Sequence, residues 1–292
     1  MRPTSLRLKP GVDPANAAGI LDALVRQGRG VVASAGPGTH VGPGALPLAE
    51  AYVIWTDDVE SQLTSLSFDT DLVEALHTSR YWRIRQLHEE PIRPVPLVQS
   101  EVDRQANWLE VLQRDLQARI ARAAAAPGQP AVIDTNVLLE FQAPAQVDWC
   151  SILRAAAVRL VIPLRVIEEL DIIKYDRRRR ERADRARRVL PQLSSALGNA
   201  GTPGPLRNST TIEVLGRSDA GRRSLDADAE VLATCQELEQ FSGQRVTLIS
   251  GDNAIRIRAE VLAITAIPMP DGYSSRPAAD PVTVEDGELP RS

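Results

Sequence analysis

Two short segments, more than a hundred residues apart, share one design: an apolar run that stops at an aspartate. They are Ala131-Val132-Ile133-Asp134-Thr135-Asn136 and Val246-Thr247-Leu248-Ile249-Ser250-Gly251-Asp252-Asn253. Such runs of β-branched and aliphatic residues read as buried strands. A carboxylate just beyond one stands where the carboxyl ends of parallel strands open into a crevice, the usual ligand position of an open α/β sheet. Two of them, with acidic helix starts between, point to a hard-cation site and hence to phosphoester chemistry.

The pattern around these segments alternates strand and helix. Strands are expected at 131–133, 160–162, 210–215, 246–250 and 263–267. Helices are expected at 147–157, 164–175 with an arginine-rich continuation, 226–240 and 253–260. Short apolar strands alternating with helices imply a parallel sheet covered on both faces. The stretch Ala121–Pro130 (ARAAAAPGQP) breaks a helical pattern and marks a boundary. Upstream, Asp13-Pro14 starts a helix by the cap-then-proline signal. Further helices are expected at 47–66, 71–88 and 101–124. The expected organisation is a mostly α-helical domain over 1–125, an α/β domain over 130–273, and a disordered tail over 274–292. That tail is rich in Pro, Asp, Glu and Ser and short of apolar surface.

Composition excludes several classes. The chain of 292 residues has a net charge of −4, against a wholly basic nucleic-acid binder. Cys150 and Cys235 form no motif, and no CxxC or HExxH pattern appears, against a zinc site. No apolar run approaches a membrane span, and the amino terminus lacks a signal-peptide core. A cytoplasmic protein that does not touch membranes is expected.

Four acids carry the chemistry: Asp134 and Asp252 after strands, Glu169 in IPLRVIEELD, and Asp228 in LDADAEVL. Each alone reads as a helix cap or a solvated residue, since acids at a helix start suit the macrodipole. Together, as strand-end and helix-start groups of one α/β unit, they would repel one another unless a divalent cation neutralised them. Mg²⁺, with its preference for oxygen ligands and retained waters, suits such a set.

The ordered pieces VIDTN, IPxxVIEELD, DxxVLATC and TLISGDN resemble the PIN-domain nucleases over about residues 130–273, roughly half the chain. The resemblance implies a three-layer α/β/α sandwich with a parallel sheet and a Mg²⁺- or Mn²⁺-dependent site that cleaves RNA. The family's acids fall on Asp134, Glu169, Asp228 and Asp252, as catalytic and metal-binding residues. Thr135, Asn136, Ser250 and Asp226 are expected as supporting neighbours, with Ser250 orienting Asp252. The activity implied is metal-dependent endoribonuclease hydrolysis of RNA phosphodiesters. Alternatives are an inactive PIN-like scaffold for RNA or protein, a toxin-type ribonuclease, and a haloacid-dehalogenase-like phosphatase. The last expects an aspartate where Asn136 stands.

Residues 174–188 (KYDRRRRERADRARR) carry nine cationic side chains against Asp176, Glu181 and Asp184. They read either as a solvated helix or as a phosphate-gripping arm, with Arg177, Arg178, Arg179, Arg180 and Arg256 as RNA-binding candidates. Trp82 and Trp108 are expected in a helical core. The glycine-containing segment 31–42 lacks Gly-Lys-Ser/Thr and is expected to be a plain loop. The helical half is expected to recruit RNA, a protein partner or a second copy of the chain.

Overall fold

Every parallel strand of this protein delivers its chain to the same edge of one sheet. The computed structural model describes residues 2–33, 45–86, 94–197, 203–216 and 226–275. The strands are β1 (Gln129–Ile133), β2 (Val158–Pro163), β3 (Gly204–Pro205), β4 (Thr210–Leu215), β5 (Thr247–Ile249) and β6 (Thr265–Ile267), in the order β3-β4-β2-β1-β5-β6. All neighbours pair in parallel except β3 with β4, a two-residue antiparallel edge that the sequence pattern does not reveal. β1 lies between β2 and β5, and the chain crosses from one side of β1 to the other between β4 and β5. That reversal creates the switch-point crevice at the carboxyl ends of β1 and β5.

The helices of this half are α6 (Thr135–Glu140), α7 (Trp149–Leu153), α8 (Leu164–Ile173), α9 (Arg180–Ala196), α10 (Ala227–Ser242) and α11 (Asn253–Val261). β1 and β2 are almost wholly buried, as expected of a parallel sheet flanked by helices. Their apolar side chains form one cluster with Val166, Leu170, Val189, Val231, Leu238 and Ile255 from the helices. This is the expected α/β fold with a helical region before it.

Two local expectations fail for physical reasons. The arginine-rich stretch does not continue α8. Asp176 Oδ1 accepts the backbone N–H groups of Arg178 at 2.8 Å and Arg179 at 3.3 Å, and a new helix starts at Arg180. An aspartate that offers the backbone a turn competes with the helix ladder, and adjacent arginines do nothing to hold one. The second failure is at 71–88, where two short helices, α3 (Thr70–Glu74) and α4 (Ser79–Arg85), replace a single long one. Thr78 caps the second by accepting from Tyr81 N–H at 3.1 Å.

The amino-terminal half packs α1 (Pro14–Ala33), α2 (Ala45–Leu66) and α5 (Pro94–Ala125) around a separate apolar cluster running from Leu6 to Leu116. Asp13 caps α1, accepting from Asn16 N–H at 2.7 Å. Gly28 lets the Trp55 indole lie against α1, where a Cβ would stand 2.5 Å from the ring. Trp108 is buried as expected, but Trp82 is 49% exposed and edges onto Tyr81 instead of entering the core. The two halves meet through polar contacts and through Phe241 of α10, which packs against the amino-terminal cluster. Arg119 pairs with Glu237 and lies 4.3 Å from the Phe241 ring centroid, and Gln240 donates to the Lys9 and Val12 carbonyls. The expected tail begins with Ser274 and Ser275, which bridge to Phe141 and Glu140; its remainder lies outside the described residues, as does most of the loop expected at 31–42. Among the described residues no helix is long and apolar enough to cross a membrane.

Candidate active site

The register between β1 and β5 sets the centre of the site. Ile133 pairs with Ile249, so the next residues, Asp134 and Ser250, emerge side by side. Ser250, fully buried, donates its hydroxyl to Asp134 Oδ2. Asp134 Oδ1 accepts from Val137 N–H at 2.9 Å and so caps α6. Ser250 Oγ in turn accepts the Asp252 N–H at 2.9 Å, and Asp252 caps α11 through Ala254 N–H at 2.7 Å. Asp134 and Asp252 are therefore both caps and site acids: one hydroxyl fixes their spacing while two helix starts fix their rotamers. The serine expected to orient Asp252 acts on it through the backbone and on Asp134 through its side chain.

Glu169 comes from the second turn of α8, just after β2, and receives the Thr135 hydroxyl. Asp228 sits in the first turn of α10, after β4, and α10 is capped by Asp226. Asp134, Thr135, Asn136, Glu169 and Asp228 all line one cleft of about 370 Å³. Asp252 does not line it but acts on it electrostatically. Burial pushes Asp134 up to about 6, against the pull of its Ser250 and Val137 hydrogen bonds, and the charges of Asp252 and Asp228 push it further. Asp228 is also raised, first by burial and then by Asp226, Asp252 and Glu169, with Arg258 opposing. All four acids thus share one field.

They do not form a closed coordination set. Among the described residues no three His, Cys, Asp or Glu side chains are grouped tightly enough to hold a metal ion outright. Arg258 of α11 instead reaches across to Asp226 Oδ2 at 2.7 Å and Asp228 Oδ2 at 3.2 Å. The donor chemistry still fits a hard divalent cation. The groups are all oxygen donors and too few to enclose the ion, and burial together with like charge already raises two of them.

The arginines divide by position. Arg177, Arg178, Arg179 and Arg180 are exposed at the α8–α9 turn and the start of α9. Arg256 is occupied locally, donating to the Ser250 carbonyl at 2.9 Å and to Asn253. The cleft is lined instead by Arg165 and Arg182. Arg182 Nη2 donates to Asn136 Oδ1 at 2.9 Å. Sequence reasoning missed both as cleft residues. The usable signal was helical spacing: Ala183, Ala186 and Val189 are the buried positions of α9, which places neighbouring Arg182 and Arg185 at the edge of its packed face.

Asp134 gives the metal-free chain a distinctive pH dependence. Its folded carboxyl binds a proton more tightly than the unfolded chain does, so the folded state holds more protons between about pH 4 and 6. Stability is therefore expected to fall by on the order of 2 kcal/mol as pH rises through that window. Urea midpoints at pH 4.5 and 7 in EDTA, compared with those of Asp134→Asn, measure it. A window that persists in the variant would locate the titration elsewhere.

Comparison with known proteins agrees with this geometry. A PIN domain profile matches residues 131–269. The Protein PhoH2 of Thermobispora bispora is 34% identical over 140 residues, which is 46% of this chain and 30% of that protein. The chain thus spans less than a third of that curated relative. The likeness to the PIN domain therefore covers residues 131–269, the parallel sheet and flanking helices of the carboxyl-terminal half of the chain.

Proposed function

We propose that this protein is a divalent-metal-dependent endoribonuclease. The observation that carries the reading is the convergence of Asp134, Glu169, Asp228 and Asp252 on one sheet edge, each following a different parallel strand. Asp134, Asp228, Asp252 and Glu169 would hold Mg²⁺ or Mn²⁺, with Thr135, Ser250 and Asp226 positioning the acids and Asn136 positioning Arg182. When bound, such a cation supplies Lewis acidity to a phosphoryl oxygen and makes water at the site more acidic.

The chain's own groups do the rest. Ser250 and the α6 start fix Asp134, Thr135 fixes Glu169, and Ile173 and Val231 add apolar surface to the cleft. Asp228 lines the cleft while one of its oxygens stands 3.2 Å from Arg258, so the ion pair acts as a placeholder for positive charge. The same contact is what favours a second reading, an inactive PIN scaffold, in which Arg258 neutralises the site permanently. The helical domain over 1–125 would recruit RNA, a protein partner or a second copy, and the arginines at 177–180, with Arg256, would attract RNA.

Incubation of the full chain with end-labelled single-stranded RNA in Mn²⁺, Mg²⁺ or EDTA separates the two readings. Metal-dependent cleavage is expected; RNA left intact with every cation, but bound, would make the protein a scaffold. The outer arginines have their own test. Neutralising Arg177, Arg178, Arg179 and Arg180 together should flatten the salt dependence of RNA binding by roughly 1–3 in log–log slope. An unaltered slope would make that turn a bystander.

A further inference from the structure

We propose that Arg165 and Arg182 form an inner phosphate clamp that seats an RNA phosphate against the carboxylates; the proposal rests on the nuclease reading. They come from different elements, Arg165 from the first turn of α8 and Arg182 from the first turn of α9, yet both line the same cleft as Asp134, Glu169 and Asp228. Each guanidinium has unused donor capacity there. Arg165 Nε and Arg182 Nε are buried and have no acceptor. Arg165 makes a long contact to Glu168, 3.4 Å from Nη1, and keeps 22% of its side chain exposed. Arg182 is aimed by Asn136, two residues after Asp134, and that bond uses one of its five N–H groups.

A buried donor without a partner is costly, and a phosphate's paired oxygens match the planar guanidinium fork. Electrostatics require the same arrangement. Three carboxylates in the cleft repel a polyanion, while the exposed arginines at 177–180 do not line it. Those arginines attract RNA from a distance; the inner pair decides where the phosphate sits once it arrives.

The test uses the full chain carrying Asp134→Asn, so that RNA stays intact, and a fluorescein-labelled single-stranded oligoribonucleotide read by anisotropy across a salt series. Arg182→Ala and Arg165→Ala should each weaken binding about tenfold and flatten the log–log salt slope by about 0.7, the share of one single-strand phosphate. Arg182→Lys should keep the slope yet recover little of the affinity, because charge remains while the fork is lost. In the cleaving chain the alanine variants should raise KM more than they lower kcat. Alanine variants that bind within twofold of their parent at unchanged slope overturn the clamp, as does full recovery by lysine. If Arg182→Ala does not fold, Arg165→Ala on its separate helix decides. A parent chain that cleaves and binds RNA while the arginine variants match it removes the clamp alone; a parent that neither binds nor cuts RNA removes the nuclease reading with it.

Discussion

Asp134→Asn should lower RNA cleavage by about a thousandfold or more, roughly 4 kcal/mol of transition-state stabilisation, while making the metal-free protein more stable. The two effects have one cause. Asp134 is only 5% exposed, and burial holds its carboxyl near 6, so its charge at neutral pH opposes the fold. Asparagine keeps the oxygen that caps α6 and offers Ser250 an amide, so the local structure survives. Removing the charge should add on the order of 1–2 kcal/mol at pH 7, and removes the acid at the switch point. Alanine is the poorer test, because it also deletes the cap, a loss of about 1 kcal/mol. Single-turnover cleavage in Mn²⁺ and urea unfolding in EDTA measure the pair of effects. Parental turnover in the asparagine variant would place Asp134 outside the chemistry, and a drop in stability would mean that burial of its charge is not what strains the site. Asp252→Asn should reduce cleavage too.

Away from the site, the sheet contains an ion pair whose rupture should be severe. Arg159 on β2 and Glu213 on β4 are 2% and 3% exposed and bond directly to each other. Glu213 Oε2 has no other partner. Arg159→Leu leaves a buried carboxylate uncompensated and should cost about 3–5 kcal/mol. Replacing both residues with leucine removes the desolvation penalty along with the attraction and should restore most of that loss, or exceed the parent. Denaturant midpoints for the two singles and the double give the coupling directly. A single variant costing under about 1 kcal/mol would mean that water or a side-chain shift reaches Glu213.

Several features of this site were legible in the residues alone. Strands with three or four buried residues ahead of Asp134 and Asp252 are visible because a buried parallel strand has a continuous apolar run and its exit is where polarity returns. The capping roles of Asp134, Asp226 and Asp252 were visible too, as the unremarkable interpretation of each acid. Asp134 and Asp252 can cap helices and still stand at the carboxyl edge of the sheet, because a strand exit and a helix start are the same place in a β-α unit. Trp82 was misread because an aromatic in a helical pattern carries no signal of which face will be covered; α4 is about two turns long, and Tyr81 takes the buried position beside it.

The local sequence determined the strands, most of the helices and which acids stand at their junctions, since backbone propensity, capping and burial act over a few residues. Only the tertiary structure decided that β5 lies against β1, placing Ser250 between Asp134 and Asp252 across more than a hundred residues of chain. Likewise it alone turned Arg165 and Arg182 into the cleft, left Arg177 to Arg180 outside, and set Arg258 across Asp226 and Asp228. The reason is that strand order and side-chain direction follow from how helices pack over a sheet, and that packing is settled by contacts between segments no local pattern connects.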